Sequence, residues 1–198
     1  SENMNLTPYE NLIRPLLSDG RLYHSQCVSR RAGELAQQYG ADQDKAETAG
    51  ILHDIMKDIP KEKQRALMKK YGIILTPVEE NAPKLWHAML GPAYLKNEKI
   101  ISDPEILDAV RYHTTGRVGM TLLDQIIFVS DFISDDRDYK GVEQLRKTAE
   151  KDLGETLLEG MVFTIRELSE MCAPIHPDTI AAYDEIVLNR MKKNKKKG

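Results

Sequence analysis

The sequence predicts an all-α fold, a bundle of about nine or ten helices. Three observations lead to this expectation. Apolar residues recur at the 3.6-residue period in nearly every segment, no segment shows a convincing strand alternation, and helix-capping residues separate the periodic stretches. At 198 residues, with 41% of them hydrophobic, the chain is long enough to bury one core. We therefore expect a single domain over 1–198, with its core at about 8–190 and a basic tail at 191–198.

The first helices are predicted from their ends. Thr7 is predicted to be an N-cap, with Pro8 at the first helical position and Glu10 completing a capping box. A second helix is expected from about Leu22 to Gly40, where glycine suits a left-handed C-cap.

The later helices are predicted in the same way, mostly from a capping side chain or a proline at the first turn. The expected starts are Asp42, Pro60 (ending at Tyr71 and Gly72), Thr76, Asp103, Thr121, about Val142, and Asp178 with Thr179. Apolar residues at helical spacing predict another helix between Leu153 and Met171. The run 126–129 resembles a buried strand, but the pattern continues over 122–133 without a turn signal, so we expect a helix there.

Four of the five histidines, together with two aspartates, have the order expected of a metal site. They are His24, the adjacent pair His53 and Asp54, then His87, His113 and Asp131. Imidazole and carboxylate are ligands that first-row transition metals accept. His53 and Asp54 lie at the end of the third helical pattern, where an irregular backbone allows neighbouring side chains to converge. Asp131 lies inside an apolar helix, where a carboxylate is costly unless it is paired.

The order His24, His53-Asp54 and Asp131 resembles the HD-domain metal-dependent phosphohydrolases, an all-α superfamily named for its His-Asp pair. Further motifs resemble its YqeK-like bacterial branch, described as cleaving diadenosine tetraphosphate symmetrically into two ADP. These motifs cover 49–58, 86–88, 112–116, 130–133 with Arg137, and 175–180, and the resemblance spans roughly 10–190. Ser134, Asp135 and Asp136 depart from the Glu-Pro expected before Arg137.

The resemblance implies that His24, His53, Asp54 and Asp131 hold a metal, with iron as the expected element and one or two ions per chain. His87 and His113 are left with two interpretations: second-metal ligands with Asp54 bridging, or direct contacts to phosphate oxygens. The catalytic residues that the resemblance implies are Asp54, Lys57 and Arg137. The implied substrate contacts are His24, Lys57, His87, His113, Thr114, Thr115, Arg137, Ile175, His176 and Pro177.

Several of these residues also have a purely structural interpretation. Lys57 could be a surface lysine, Arg137 could offset the neighbouring aspartates, and His176 could order a helix N-terminus. Two other functions stay open as well. One is another HD activity, such as a nucleotidase or phosphodiesterase; the other is a non-catalytic module that senses nucleotides or associates with the ribosome.

Charge and cysteine content limit the choice of partners and compartment. A net charge of −3 argues against a general nucleic-acid binder, and the Lys-rich tail is interpreted as a solvated, frayed helix end. Cys27 and Cys172 are expected to be buried free thiols in a reducing cytoplasm. No apolar run reaches the length of a membrane span and no signal-peptide pattern is visible. The expected partner is a dinucleoside polyphosphate or ADP-like nucleotide; the apolar helix over 157–171 could be core or a homodimer face.

Overall fold

The structure, a computed structural model, describes residues 5–198 and consists of helices joined by short turns. The eleven α-helices are α1 Thr7–Ile13, α2 Asp19–Tyr39, α3 Gln43–Leu52, α4 Lys61–Lys70, α5 Pro77–Glu80, α6 Trp86–Asn97, α7 Pro104–Arg111, α8 Leu122–Ile133, α9 Val142–Lys151, α10 Leu153–Glu170 and α11 Pro177–Lys197. Residues 5–198 contain no β-strand, so the predicted all-α class is confirmed, with slightly more helices than expected. The predicted domain also includes residues 1–4, which lie outside the described part of the chain.

Most predicted helix starts are formed by the expected caps. The Asp42 side chain accepts a hydrogen bond from the backbone N–H of Lys45 at the start of α3. Thr76 and Thr121 each close a capping box, at α5 and α8. Gly40 ends α2 with φ = 77°, the left-handed conformation that glycine adopts without a Cβ penalty. Local chemistry therefore sets these boundaries.

The predicted cap at Thr7 is wrong. Thr7 is the first residue of α1, and its backbone N–H donates to Asn5 Oδ1 at 3.0 Å. Leu6 occupies the N-cap position without a side-chain hydrogen bond. The capping box predicted from Thr7 and Glu10 does not form, because the helix begins one residue earlier than the pattern indicated.

Helix α6 was not predicted from the sequence. It contains Gly91 and Pro92, a pair that normally indicates a break, yet it continues to Asn97. The close packing of Gly91 explains its place: a Cβ there would meet Val110 at 3.3 Å. Tertiary packing against α7 thus outweighs the local helix-breaking tendency.

The two cysteines differ from expectation in one case. Cys27 is buried in α2, as predicted. Cys172 is exposed in the turn after α10, where its φ is 53°. The apolar neighbours of Cys172 had suggested a continuing helix, but α10 ends at Glu170.

Helix α8 lies at the centre of the fold and packs against α2, α3, α7, α9 and α10. Its residues Ile126, Ile127 and Ile133 are fully buried. Helices α2 and α3 approach closely at Gly50, where a Cβ would lie 2.7 Å from Ser29 Cα. This close approach brings the middle of α2 against the end of α3, the region in which the predicted ligands lie.

The C-terminal helix extends further than expected. Residues 191–197, predicted as a frayed tail, continue α11 and are exposed, with three lysines in the last turn. Lysines at this end interact favourably with the helix dipole. Among residues 5–198, no helix combines the length and the apolar character that crossing a bilayer requires.

Candidate metal centre

The six predicted ligands converge on one buried location. His24 lies in α2, His53 is the C-cap of α3, Asp54 lies in the following turn, His87 is in α6, His113 follows α7, and Asp131 is in α8. All are buried except Asp131, whose side chain is 22% exposed. Five helices thus contribute to one polar cluster inside an apolar core.

The first half-site consists of His24, His53 and Asp131. Asp131 Oδ1 lies 2.8 Å from His24 Nε2 and 3.4 Å from His53 Nε2. One ligand atom from each of the three residues lies within 4.8 Å of the other two, as a metal site requires. Asp54 Oδ2 faces the same place, 3.2 Å from His53 Nε2 and 3.8 Å from His24 Nε2.

The second half-site consists of His87 and His113, on the other oxygen of Asp54. Asp54 Oδ1 lies 3.3 Å from His87 Nε2 and 3.5 Å from His113 Nε2. His53, Asp54 and His113 also satisfy the mutual-distance requirement of a metal site. The two oxygens of one carboxylate therefore face two different pairs of imidazoles.

Hydrogen bonds at the far side of the rings fix the tautomers of His53 and His113 and orient the ring of His24. His53 Nδ1 lies 2.7 Å from the carbonyl of Gly50, and His113 Nδ1 lies 2.6 Å from the carbonyl of Val110. Because a carbonyl only accepts, each of these Nδ1 atoms carries its proton. His24 Nδ1 lies 2.7 Å from a carboxylate oxygen of Asp136 and its Nε2 lies 2.8 Å from Asp131 Oδ1, so carboxylates face both ring nitrogens and orient the ring.

These tautomers make the cluster suitable for a cation. In the neutral rings, the Nε2 lone pairs of His53 and His113 are directed towards carboxylate oxygens, an arrangement that is repulsive without an intervening positive charge. His53 Nε2 is buried and has no hydrogen-bond partner among the described residues. Nitrogen and carboxylate donors of this kind fit a first-row transition metal.

The electrostatics of the cluster lead to the same conclusion. Burial alone would lower the pKa of His53, but the carboxylates of Asp54 and Asp131 outweigh it and raise that pKa to about 10. Burial would raise the pKa of both carboxyls, yet the surrounding imidazoles hold the pKa of Asp54 and of Asp131 well below its usual value. The carboxylate pair thus retains a positive charge beside it at neutral pH.

His87 is held differently. Its Nδ1 is buried without a partner among the described residues, and its Nε2 lies 3.3 Å from His113 Nε2. Burial lowers the pKa of His87 to about 4, since the charge of Asp54 only partly compensates. This ring is therefore neutral, and its Nδ1 is not held by a hydrogen bond from the described residues.

Two cationic side chains border Asp54. Arg21 Nη1 donates to Asp54 Oδ2 at 3.1 Å, and Lys57 belongs to the same turn, its backbone N–H donating to the carbonyl of Asp54 at 2.8 Å. Burial lowers the pKa of Lys57, while Asp54 and Asp131 act in the opposite direction. Arg21 was missed in the sequence, although its position three residues before His24 puts both on one face of α2.

Arg137 and Asp136 support the first half-site from the loop after α8. Arg137 donates from Nε to the Asp131 carbonyl at 3.0 Å and from Nη2 to Asp131 Oδ1 at 3.2 Å. Asp136 orients His24 from 112 positions away in the chain. The sequence pointed to an unusual Ser134-Asp135-Asp136 loop, but nothing local indicated which of its acids contacts a histidine.

The threonines after His113 occupy different surroundings. Thr114 lines a cavity of about 280 Å³ together with His113, Asp131 and Arg137, and its buried hydroxyl has no hydrogen-bond partner among the described residues. Thr115 is buried and donates its hydroxyl to the carbonyl of Gly116 at 2.8 Å. Of the two predicted substrate contacts, Thr114 thus borders this cavity, whereas the Thr115 hydroxyl is engaged with the backbone.

The turn formed by Ile175, His176 and Pro177 contacts a different part of the protein. His176 is the N-cap of α11, with Nδ1 accepting from the Asp178 backbone N–H at 3.0 Å and Nε2 lying 3.0 Å from Glu79 Oε2. Nδ1 therefore caps α11, and Nε2 joins α11 to α5. A contact of this turn with substrate stays a prediction.

The sequence of this chain is similar to those of known proteins that share one domain family. Residues 21–136 match the HD domain family. The chain is 39% identical to the symmetrical bis(5'-nucleosyl)-tetraphosphatase of Bacillus subtilis, over 88% of this chain and 94% of that protein. It is 38% identical to the protein of the same name from Halalkalibacterium halodurans, over 94% and 100%.

A solved structure agrees closely with this fold. A crystal structure from Clostridium acetobutylicum, described as a "predicted HD superfamily hydrolase involved in NAD metabolism", superposes with a TM-score of 0.89 at 32% identity. The superposition covers 94% of this chain and 98% of that one. At this coverage the whole helical arrangement is shared, including the elements that carry the centre.

Proposed function

The chain belongs to the HD domain family, and we propose that it hydrolyses diadenosine tetraphosphate symmetrically to two molecules of ADP. The observation that carries this proposal is the buried cluster of four imidazoles and two carboxylates, with Lys57, Arg21 and Arg137 beside it. Such a donor set serves metal-assisted hydrolysis, and the adjacent cations suit a polyphosphate. Relatives from three bacteria, at 31–39% identity, bear the name of this activity.

Iron is the proposed cation, as one ion in the first half-site or as two ions, one in each half-site. His24, His53, Asp54 and Asp131 would hold the first ion, and His87 and His113 the second, with Asp54 between them. The placement of the two Asp54 oxygens against two different histidine pairs supports this arrangement. Nitrogen and carboxylate donors also suit manganese, cobalt and zinc, so the choice of iron rests on the family resemblance.

The bound cation would supply Lewis acidity, which lowers the pKa of water and polarises a phosphate oxygen. The protein supplies positioning and charge. Arg137 has five N–H donors, of which two contact Asp131, so others remain for phosphate oxygens. Lys57 and Arg137 would neutralise the charge that develops on the phosphoryl oxygens during attack on an inner phosphorus. Because ADP is a good leaving group, no strong general acid is required.

The proposed substrate site surrounds this centre. His24, His87, His113, Thr114, Thr115 and Arg137 would contact the polyphosphate, and Ile175, His176 and Pro177 would form part of a nucleoside site. The proposed compartment is the reducing cytoplasm, because Cys27 and Cys172 are free thiols. No specific nucleic-acid partner is proposed.

One domain over 1–198 is part of the proposal, because a single hydrophobic cluster extends from Ile13 to Ala182. A homodimer is the assembly to test, since exposed apolar side chains occur on the two C-terminal helices. They are Phe163, Ile180, Leu188 and Met191.

The test is product analysis with metal-loaded protein. Incubation with diadenosine tetraphosphate, followed by anion-exchange chromatography, should give ADP as the sole product. Formation of AMP and ATP would contradict symmetrical cleavage, and activity only on mononucleotides would indicate another HD hydrolase. Elemental analysis of protein purified without chelator would identify the metal and its number per chain.

A further inference from the structure

A cleft lined by aromatic rings opens beside the first half-site. The cavity of about 280 Å³ that borders His113, Asp131 and Arg137 continues along Phe132, Tyr139 and Phe163, which we call the aromatic slot. One end of this cavity is therefore polar and adjoins the predicted metal ligands, while the other end is lined by aromatic rings. A ligand that fills it must combine a charged group with a planar ring.

The three rings hold one another in fixed positions. Phe132 makes edge-to-face contacts with Tyr139 and Phe163, at centroid distances of 5.7 Å and 5.4 Å. Tyr139 and Phe163 are stacked, 6.0 Å apart with planes 29° from parallel. These separations are within the range in which aromatic rings attract one another. The slot is thus preformed and would lose little entropy on binding.

The side chains around the slot differ in whether they can still contact a ligand. The Tyr139 hydroxyl donates a hydrogen bond to the Phe132 carbonyl at 2.6 Å, so this ring is held in a fixed position. Phe163 is 47% exposed, an unusual exposure for a phenylalanine. Thr114, at the polar end, offers the hydroxyl that lacks a partner among the described residues.

We infer that the aromatic slot binds one nucleoside of the dinucleoside polyphosphate, with its base against Phe163 and Tyr139. This inference rests on the proposed function and adds the place of a base to it. The cavity lies just below the ~300 Å³ at which whole-ligand pockets begin, a size that suits one nucleoside rather than a complete dinucleotide. Aromatic side chains commonly serve as platforms on which bases stack.

The position of the slot agrees with a substrate that has two nucleoside ends. The residues that line its cavity do not include the turn at 175–177, the nucleoside site proposed above, whose His176 contacts Glu79. The metal ligands His113 and Asp131 lie at the polar end of the slot. A chain of phosphates crossing the centre would then have one base in the slot and the other base elsewhere.

The test compares Phe163→Ala, which removes the platform, with Phe163→Trp, which keeps an aromatic ring. With diadenosine tetraphosphate, Phe163→Ala should raise KM about tenfold with little change in kcat, whereas Phe163→Trp should stay near the wild type. Tenfold corresponds to ~1.4 kcal/mol. The increase should be smaller with diuridine tetraphosphate, because pyrimidines stack less strongly than purines.

The matched control is Leu188→Ala, which truncates an exposed apolar side chain of α11 outside this cavity and should leave KM unchanged. An unchanged KM in Phe163→Ala, or an equal change for both dinucleotides, would overturn the inference. The same holds if wild type is a dimer, Phe163→Ala is a monomer and KM is unaffected, because the slot would then be a contact between chains.

A binding measurement separates this inference from the proposed function. Calorimetry with a methylene-bridged diadenosine tetraphosphate needs no turnover. If the wild-type protein hydrolyses no dinucleotide but Phe163→Ala weakens analogue binding about tenfold, the proposed function fails and the slot stands. If hydrolysis is symmetrical but analogue binding is equal in both proteins, the slot fails and the proposed function stands.

Discussion

The two half-sites of the centre are built from the same kind of residue but differ in how firmly those residues are held. In the first half-site, His24 and His53 each have Nδ1 bound to an oxygen acceptor, and two carboxylates face their Nε2 atoms. In the second half-site, His113 is fixed in this way, and the carboxylate contact that the described residues provide is Asp54 Oδ1. His87 Nδ1 has no described partner.

This difference predicts different cation affinities for the two proposed positions. A ring whose tautomer and orientation are fixed in advance loses less freedom on metal binding, and the carboxylate that accepts its N–H makes Nε2 more basic. Negative charge is also greater in the first half-site, where Asp54 and Asp131 meet. We therefore expect the first half-site to bind its ion more tightly, and the second to lose its ion first.

The largest effect is expected where the two half-sites meet. Asp54→Asn removes the carboxylate charge that both share, so metal content should fall below one ion per chain. Hydrolysis should decrease by at least about 10³-fold, since even a single electrostatic contact can contribute about 10²–10³. Elemental analysis and ADP formation measure the two effects. Full metal content in this variant would contradict a shared carboxylate.

The ranking itself is tested by His24→Ala and His113→Ala. His113→Ala should keep one ion per chain and lose the second, with a fall in activity of about 10²-fold. His24→Ala should lose the tighter ion. Metal titration of both variants decides the question, because equal losses would mean that the half-sites are not ranked.

The contribution of the hydrogen bond that orients His24 is tested by Asp136→Asn. The change weakens the hydrogen bond that orients His24, so metal affinity should fall roughly 10–100-fold. Asp135→Asn is the matched control, because the neighbouring Asp135 pairs with Arg31 at the surface, 2.6 Å away. Equal affinities in the two variants would show that orientation of His24 has no effect.

The smallest effect concerns pH in metal-free protein. The raised pKa of His53 stabilises the fold fully below its unfolded value of 6.5, and this contribution is lost as pH rises through about 10. His87 acts in the opposite sense, since its contribution is present above pH 6.5 and is lost towards pH 4. The melting temperature should therefore fall by a few degrees between pH 7 and 10. In His53→Gln this fall should be smaller, and an identical pH profile would contradict the charge assigned to His53.

Much of the fold could be predicted because its signals are local. Asp42, Thr76 and Thr121 each cap a helix from within three residues, and Gly40 ends one with its own backbone conformation. The failures have equally physical causes. At α6, packing overrides the helix-breaking pair that includes Pro92, and no local pattern reports such packing.

The candidate site could be predicted in part for the same reason. The His53-Asp54 pair and the other ligands are chemically conspicuous in the chain, and all six meet in the structure. Arg21 has only a weak signal, its spacing from His24. Asp136 and the aromatic slot have none, because their residues come together from different helices and loops.

The sequence by itself determined the helical class, most helix starts and the set of candidate ligands, because capping, periodicity and ligand chemistry depend on residue type and short spacing. Only the tertiary structure decided which carboxylate orients His24 and which oxygen of Asp54 faces which histidine pair. Those choices depend on contacts between residues up to 112 positions apart. The packing of α2 and α3 around Gly50 and of α8 between its neighbours makes these contacts, so no single segment could reveal them.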